Sequence, residues 1–189
     1  LKLSGAGEWT VECNPATLSL EKAKLLRDGG VNRISMGVQS FNADLLDRLG
    51  RVHSRAMVFK SYDNLRAAGF ERINLDLMFA IPSQTIEVWL SSLRETVELE
   101  PEHLSCYEVI YEQDTPLYEQ LQAGEFDVQE DLACDMFEAL TEFAGEHGFH
   151  QYEVANFARH TGTPEFEIPS EACRHNVNCW RGGDYYGLG

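Results

Sequence analysis

Five side chains in this 189-residue sequence combine the types and positions that ligand chemistry requires. Glu12, Gln39, Asp76 and Glu108 interrupt or close short β-branched, apolar runs, and Arg51 follows in Leu49-Gly50-Arg51-Val52-His53. A parallel strand buried on both faces reads as continuously apolar, so polar residues near its carboxyl end call for an explanation. In α/β barrels that rim is where ligands bind. Carboxylates accept from a ribose diol or an ammonium group, a guanidinium forks onto a carboxylate, and an amide does either. An amino acid joined to a nucleoside, such as S-adenosylmethionine (SAM), needs all three. The same residues admit a structural reading, in which Asp76 and Arg51 form an ion pair and Glu12 caps a turn. Spacing alone does not choose between them or name the ligand.

The elements that must hold these residues alternate in period. Strands are predicted over 8–13, 33–38, 73–78, about 103–109 and 151–154 from β-branched runs ended by Pro, Gly or Asn. Helices are predicted after Ser19 up to Gly29, and over 42–49, 55–68, 85–99, 116–122 and 129–147. The tail from Phe157 reads as loop, with an acidic, Pro-containing stretch at 162–171. Strands alternating with helices imply right-handed βαβ units and a parallel sheet. No Gly-x-Gly-x-x-Gly follows a strand, which disfavours a dinucleotide-binding fold. The fold class is therefore α/β, a partial (β/α) TIM-like barrel whose first strands are expected upstream of Leu1.

Composition narrows the function classes. A 43% hydrophobic content is that of a globular chain. No apolar run approaches the roughly 20 residues of a membrane helix, and no signal peptide is visible. Both termini read as cuts. With 15 basic against 31 acidic residues and no Lys/Arg cluster, a nucleic-acid partner is disfavoured. The five cysteines, Cys13, Cys106, Cys134, Cys173 and Cys179, are odd in number and widely spaced, which fits reduced thiols in the cytoplasm. Cys13, Cys106 and Cys134 are expected to be small buried hydrophobes.

A string of motifs then carries a resemblance. Val11-Glu12-Cys13-Asn14-Pro15, Gly30-Val31-Asn32-Arg33-Ile34-Ser35-Met36-Gly37-Val38-Gln39-Ser40-Phe41, Leu49 to His53, Ile73 to Met78, and Gln151-Tyr152-Glu153-Val154-Ala155-Asn156-Phe157-Ala158-Arg159 follow one another in order. Cys173-Arg174-His175-Asn176 with Trp180, then the glycine-rich 184–189, complete it. The whole string resembles radical SAM proteins of the oxygen-independent coproporphyrinogen III oxidase-like family, on its heme chaperone branch. The resemblance implies that Glu12, Gln39, Arg51 and Asp76 contact SAM; it adds nothing for Glu108. It also implies a [4Fe–4S] cluster, held by a Cys-x-x-x-Cys-x-x-Cys triplet at which SAM is reductively cleaved. This chain has no such triplet, so those ligands are expected upstream of Leu1 and this piece is expected to be inactive alone.

On that resemblance, residues 1–160 are a partial radical SAM barrel and 161–189 a heme-associated loop with the start of the next segment. His175 is implied as an axial heme ligand; the alternative is a His that bonds a loop to the barrel, with Trp180 as packing anchor. Cys179 stands where the family usually has Tyr, and Ala80-Ile81-Pro82-Ser83-Gln84-Thr85 departs from its glycine-bearing turn. Heme or porphyrin and heme-acceptor proteins are the implied partners. Heme trafficking is the implied function, and oxidative decarboxylation of coproporphyrinogen III is the alternative.

Overall fold

The computed structural model describes residues 7–165 and 167–187. Its strands form one sheet in the order β1-β2-β3-β4-β6-β5. β1 (Thr10–Cys13), β2 (Arg33–Gln39), β3 (Ile73–Phe79) and β4 (His103–Glu108) are parallel, with Glu12 beside Ser35, Gly37 beside Asp76, and Asp76 beside Ser105. Helices α1 (Leu20–Asp28), α2 (Ala43–Arg48), α3 (Arg55–Ala67) and α4 (Ile86–Glu98) make the crossovers. After β4 come α5 (Pro116–Gln122), α6 (Glu130–Glu146), β5 (Phe149–Gln151), β6 (Asn156–Arg159) and α7 (Arg174–Trp180). This is the α/β, partial-barrel architecture that the alternating periods require.

Helix starts follow from local chemistry. Ser19, Asn42, Ser54, Thr85 and Thr115 each accept a hydrogen bond from a first-turn amide, satisfying a donor that the helix itself leaves unpaired. Helix α1 ends at Gly29 and Gly30; Gly30 takes φ 99°, a conformation that costs little only without a Cβ.

The sheet has two chemically opposite faces. Ile34, Met36 and Val38, Ile73, Leu75 and Leu77, and Leu104 and Cys106 point outward and are buried under the helices. Ala23, Val58, Leu65, Trp89, Leu93, Met136 and Leu140 meet them from the helical layer, each large side chain contributing about 1.5–3 kcal/mol by leaving water. Trp89 also donates through Nε1 to Met136 O at 2.9 Å, pinning α4 to α6. The opposite, inner face carries Thr10, Glu12, Arg33, Ser35, Asn74, Asp76, His103, Ser105 and Tyr107. Polar residues thus alternate along whole strands and are not confined to their ends. The reason is that an open partial barrel buries one sheet face and leaves the other lining a cleft, so the period-2 rule applies in full.

Three other expectations are corrected. The last predicted strand, over 151–154, lies instead at Phe149–Gln151, and it pairs antiparallel with β6 in the stretch read as loop. The short 152–155 connection allows only an antiparallel return, because a parallel one needs a long crossover. β6 in turn pairs antiparallel with β4, so the sheet is mixed. The tail also contains α7. Cys134 is exposed on α6, whereas Cys106 is buried and Cys13 is half-buried. No helix among the described residues is long and apolar enough to cross a membrane.

Candidate ligand cleft

The inner face is the floor of a cleft of about 800 Å³, and the 171–178 segment forms its wall. Glu12, Arg33, Ser35, Asn74, Asp76, Ser105 and Tyr107 line the floor, and Cys173, Arg174, His175 and Asn176 the wall. Two of the sequence-derived SAM residues, Glu12 and Asp76, and the heme candidate His175 therefore share one cavity. Gln39 and Arg51 are not on its lining.

Those two sit at the strand-end rim. Gln39 closes β2 at φ 64°, where the register shifts, and its side-chain nitrogen lies 3.0 Å from the position a Gly37 Cβ would take. Gly37 is the register partner of Asp76, so the missing Cβ lets the amide fold back toward that residue. Arg51 is exposed in the turn after α2. Its neighbour His53 is buried and binds Val38 O through Nε2 at 2.9 Å, tying the turn to the end of β2. A carbonyl only accepts, so Nε2 carries the proton, and Nδ1 has no partner among the described residues. Asp76 and Arg51 form no ion pair. Glu108 is exposed at the end of β4 and lines a separate cavity with Ser83, Gln84 and Tyr111.

Asp76 is the electrostatic centre. Asn74 Nδ2 donates to its Oδ1 at 2.6 Å, and Ser35 Oγ lies 3.2 Å from both oxygens. Burial pushes its carboxyl up from 3.8 to about 6, Glu12 adding repulsion, while the Asn74 and Ser35 hydrogen bonds and the Arg33 charge oppose the rise.

From Asn74 a buried relay runs to the wall. His103 Nδ1 donates to Asn74 Oδ1 at 2.6 Å, and Ser105 Oγ bonds the same oxygen at 3.1 Å. His103 Nε2 faces Tyr152 Oη at 2.8 Å, and Tyr152 Oη accepts from the Cys173 amide at 3.2 Å. Burial first, then the charges of Arg33 and Arg72, hold His103 well below the usual histidine range. His103 is therefore neutral, and Tyr152 donates to its bare Nε2. Ser105 also reaches Asn156 Oδ1 at 2.5 Å, and Asn156 bonds Glu153. Sequence reasoning gave His103 and His53 no role. The signal available was alternation: His103, Ser105 and Tyr107 share a face with Asn74 and Asp76 through the strand register.

Arg72 clasps the wall from below. It faces Glu8 Oε2 at 3.2 Å, bonds Glu171 Oε2 at 3.0 Å, and reaches Ala172 O at 3.4 Å. Glu8 Oε1 in turn accepts from the Arg174 amide at 2.9 Å and the Cys173 thiol at 3.6 Å. Held this way, His175 is exposed at the cleft mouth, its Nε2 3.7 Å from Cys179 Sγ and its ring edge-on to Tyr185. Among the described residues its ring bonds none of the barrel, and Trp180 is 65% exposed. Leu188 and Gly189, the end of the glycine-rich motif, lie outside the described residues.

The donor set of the cleft suits SAM, with two carboxylates and a guanidinium set around hydroxyl and amide groups. It does not suit the iron–sulfur cluster. No group of three or more His, Cys, Asp or Glu among the described residues is placed to hold a metal. Cys13 and Cys106 face the helical layer, and Cys173 and Cys179 belong to the wall.

The fold is a partial α/β barrel with a polar cleft on its inner face. The profile of the radical SAM superfamily matches residues 2–95. Residues 2–95 thus belong to the radical SAM superfamily, and the chain resembles its coproporphyrinogen III oxidase-like, heme chaperone branch. It is 39% identical to a heme chaperone (HemW) of Bacillus subtilis, over 98% of this chain and 47% of that one. It is 40% identical to the HemW of Lactococcus lactis, over 100% of this chain and 48% of that one. Among solved structures, coproporphyrinogen III oxidase (HemN) from Escherichia coli, a radical SAM enzyme, matches with a TM-score of 0.72 and 26% identity, over 80% of this chain and 35% of that one. The chain spans about half the length of the curated relatives it matches. Membership of the superfamily implies SAM and a [4Fe–4S] cluster as cofactors.

Proposed function

We propose that this chain is the SAM-binding and heme-presenting part of a heme chaperone-like radical SAM protein that passes heme to acceptor proteins. The observation that carries the reading is the position of His175. It is an exposed imidazole on the wall of the cleft that holds Asp76, with Trp180 (65% exposed), Tyr185 (71%) and Tyr186 (93%) exposed in the same segment. Imidazole is a common axial ligand of heme iron, and exposed aromatic faces suit a flat macrocycle. The names of the relatives from Bacillus and Lactococcus support the same reading.

In this reading Glu12 and Asp76 take the hydroxyl or ammonium groups of SAM from the floor, and Gln39 and Arg51 close on it from the rim. When bound, SAM and the cluster supply reductive cleavage of the sulfonium, and the protein supplies position and charge. Residues 1–160 act as the barrel portion and 161–189 as the heme-associated portion. Five cysteines without a disulfide fit action in the cytoplasm.

The test is a heme titration of the full-length protein, followed in the Soret region. His175→Ala is expected to lose the imidazole-ligated spectrum and most of the affinity. Unchanged heme binding by that variant would overturn the assignment. Anaerobic turnover of coproporphyrinogen III by the full-length protein would instead make it an oxidase, the reading that the likeness to the E. coli enzyme favours.

A further inference from the structure

Arg33 stands within the second motif, yet the proposed function gives it no role. It opens β2 on the inner face, one alternation below Ser35, and lines the cleft floor while only 4% exposed. Its main chain is conventional, with the amide bonding Trp9 O at 3.2 Å. Its guanidinium makes no hydrogen bond and no ion pair among the described residues. Five N–H donors and a permanent charge thus face the cleft from a largely buried side chain with no protein acceptor among the described residues. That arrangement is costly, because removal from water is compensated only by good partners.

The nearby carboxylates are already engaged or out of range. Glu8 belongs to Arg72 and to the Arg174 amide. Asp76 is shared by Asn74 and Ser35, and Arg33 acts on it only through its field. The same charge acts on His103, Tyr152 and Cys173, residues of the floor and of the wall segment. Glu12 is exposed farther along the floor.

We infer that Arg33 is the carboxylate-binding subsite of this cleft, the point where a ligand's anionic end docks. A guanidinium matches a carboxylate in a two-bond fork and does so best where water is excluded. A single negative charge fits better than a phosphate dianion, because Glu12 and Asp76 stand on the same floor and repel a second charge. A ligand that sets its carboxylate on Arg33 and its hydroxyl or ammonium groups on Glu12 and Asp76 satisfies all three. This deepens the function proposed above and rests on it for its two candidate sources, the aminoacyl end of SAM and a propionate of the tetrapyrrole.

The experiment uses the full-length protein with its cluster reconstituted and measures affinity for two ligand pairs. One pair is SAM and decarboxylated SAM; the other is heme and heme dimethyl ester. For the unaltered protein, loss of the carboxylate from the ligand that docks on Arg33 is expected to weaken binding tenfold or more. Arg33→Gln is expected to weaken that ligand equally and to abolish its preference over the carboxylate-free analogue. Arg33→Lys, which keeps the charge and volume more closely, is expected to fall between and guards against a Gln variant that does not fold. Which pair responds identifies the source. If neither pair loses its preference in either folded variant, the inference is overturned. An unaltered protein that binds no heme would remove the chaperone reading, and the SAM pair would still decide the role of Arg33.

Discussion

The hydroxyl of Tyr152 stands 2.8 Å from Nε2 of His103, and this bond joins the cleft floor to its wall. On one side His103 is fixed by Asn74, which also holds Asp76; on the other, Tyr152 accepts from the Cys173 amide, two residues before His175. Tyr152→Phe removes a donor to a buried imidazole and an acceptor for a main-chain amide together. The expected cost is about 1–3 kcal/mol, read as a lower unfolding midpoint. Faster amide exchange over 171–180 than in the rest of the chain is expected with it. A variant with unaltered exchange there would show that the wall does not depend on this bond.

Arg72 predicts a related effect by a different route. Glu8 has only 5% of its side chain exposed, and Arg72 is its ion-pair partner. Arg72→Met therefore leaves a buried carboxylate unpaired and frees Glu171 as well. Breaking such a pair from one side costs about 3 kcal/mol. The double variant Glu8→Gln/Arg72→Met is expected to recover part of that loss, and a double-mutant cycle in urea measures it.

Asp76 gives a pH dependence with a definite sign. Its folded carboxyl lies near 6 against 3.8 for the ordinary group, so the folded state holds the proton more tightly than the unfolded chain. Without ligand, stability from this group is fully present below about pH 4, falls as pH rises toward 6, and stays lost above it. Asp76→Asn is expected to be more stable than the parent at pH 7.5 by about 1–3 kcal/mol and equal to it at pH 4. SAM affinity should behave oppositely, rising as pH rises through 6 where the carboxylate becomes available. A pH-independent affinity between 5 and 8 would separate Asp76 from the ligand.

The cysteines divide by environment. Burial pushes the Cys13 thiol up to about 12 and that of Cys106 still higher, and Cys173 is raised too. Cys134 and Cys179 are exposed. Iodoacetamide at pH 8 is expected to label Cys134 and Cys179 first, because the thiolate is the nucleophile and access limits the rest. Peptide mapping by mass spectrometry reads the order. Early labelling of Cys106 would mean that the helical layer opens.

How much of this was legible in the residues depends on the range of the interaction involved. Caps and stops at Ser19, Ser54, Thr85, Thr115 and Gly29 act within one helical turn, so the order and approximate bounds of α1, α3, α4 and α5 follow from the chain itself. The alternation Arg33, Ser35, Gly37 and Asn74, Asp76 is also local, and it marks a polar inner face that a strand-end argument alone understates. The motif string led to Glu12, Gln39, Arg51, Asp76 and His175, of which folding brings Glu12, Asp76 and His175 into one cleft. The sequence could not reveal which polar groups find one another. Arg72 meets Glu171 across 99 positions and His103 meets Tyr152 across 49; no periodicity carries such pairings. Nor does any pattern announce that Glu8 is engaged while Arg33, on the same floor, is not. Strand register and the path of the 171–178 segment decide it, because a charge buried on folding is compensated only by what tertiary structure brings within about 4 Å.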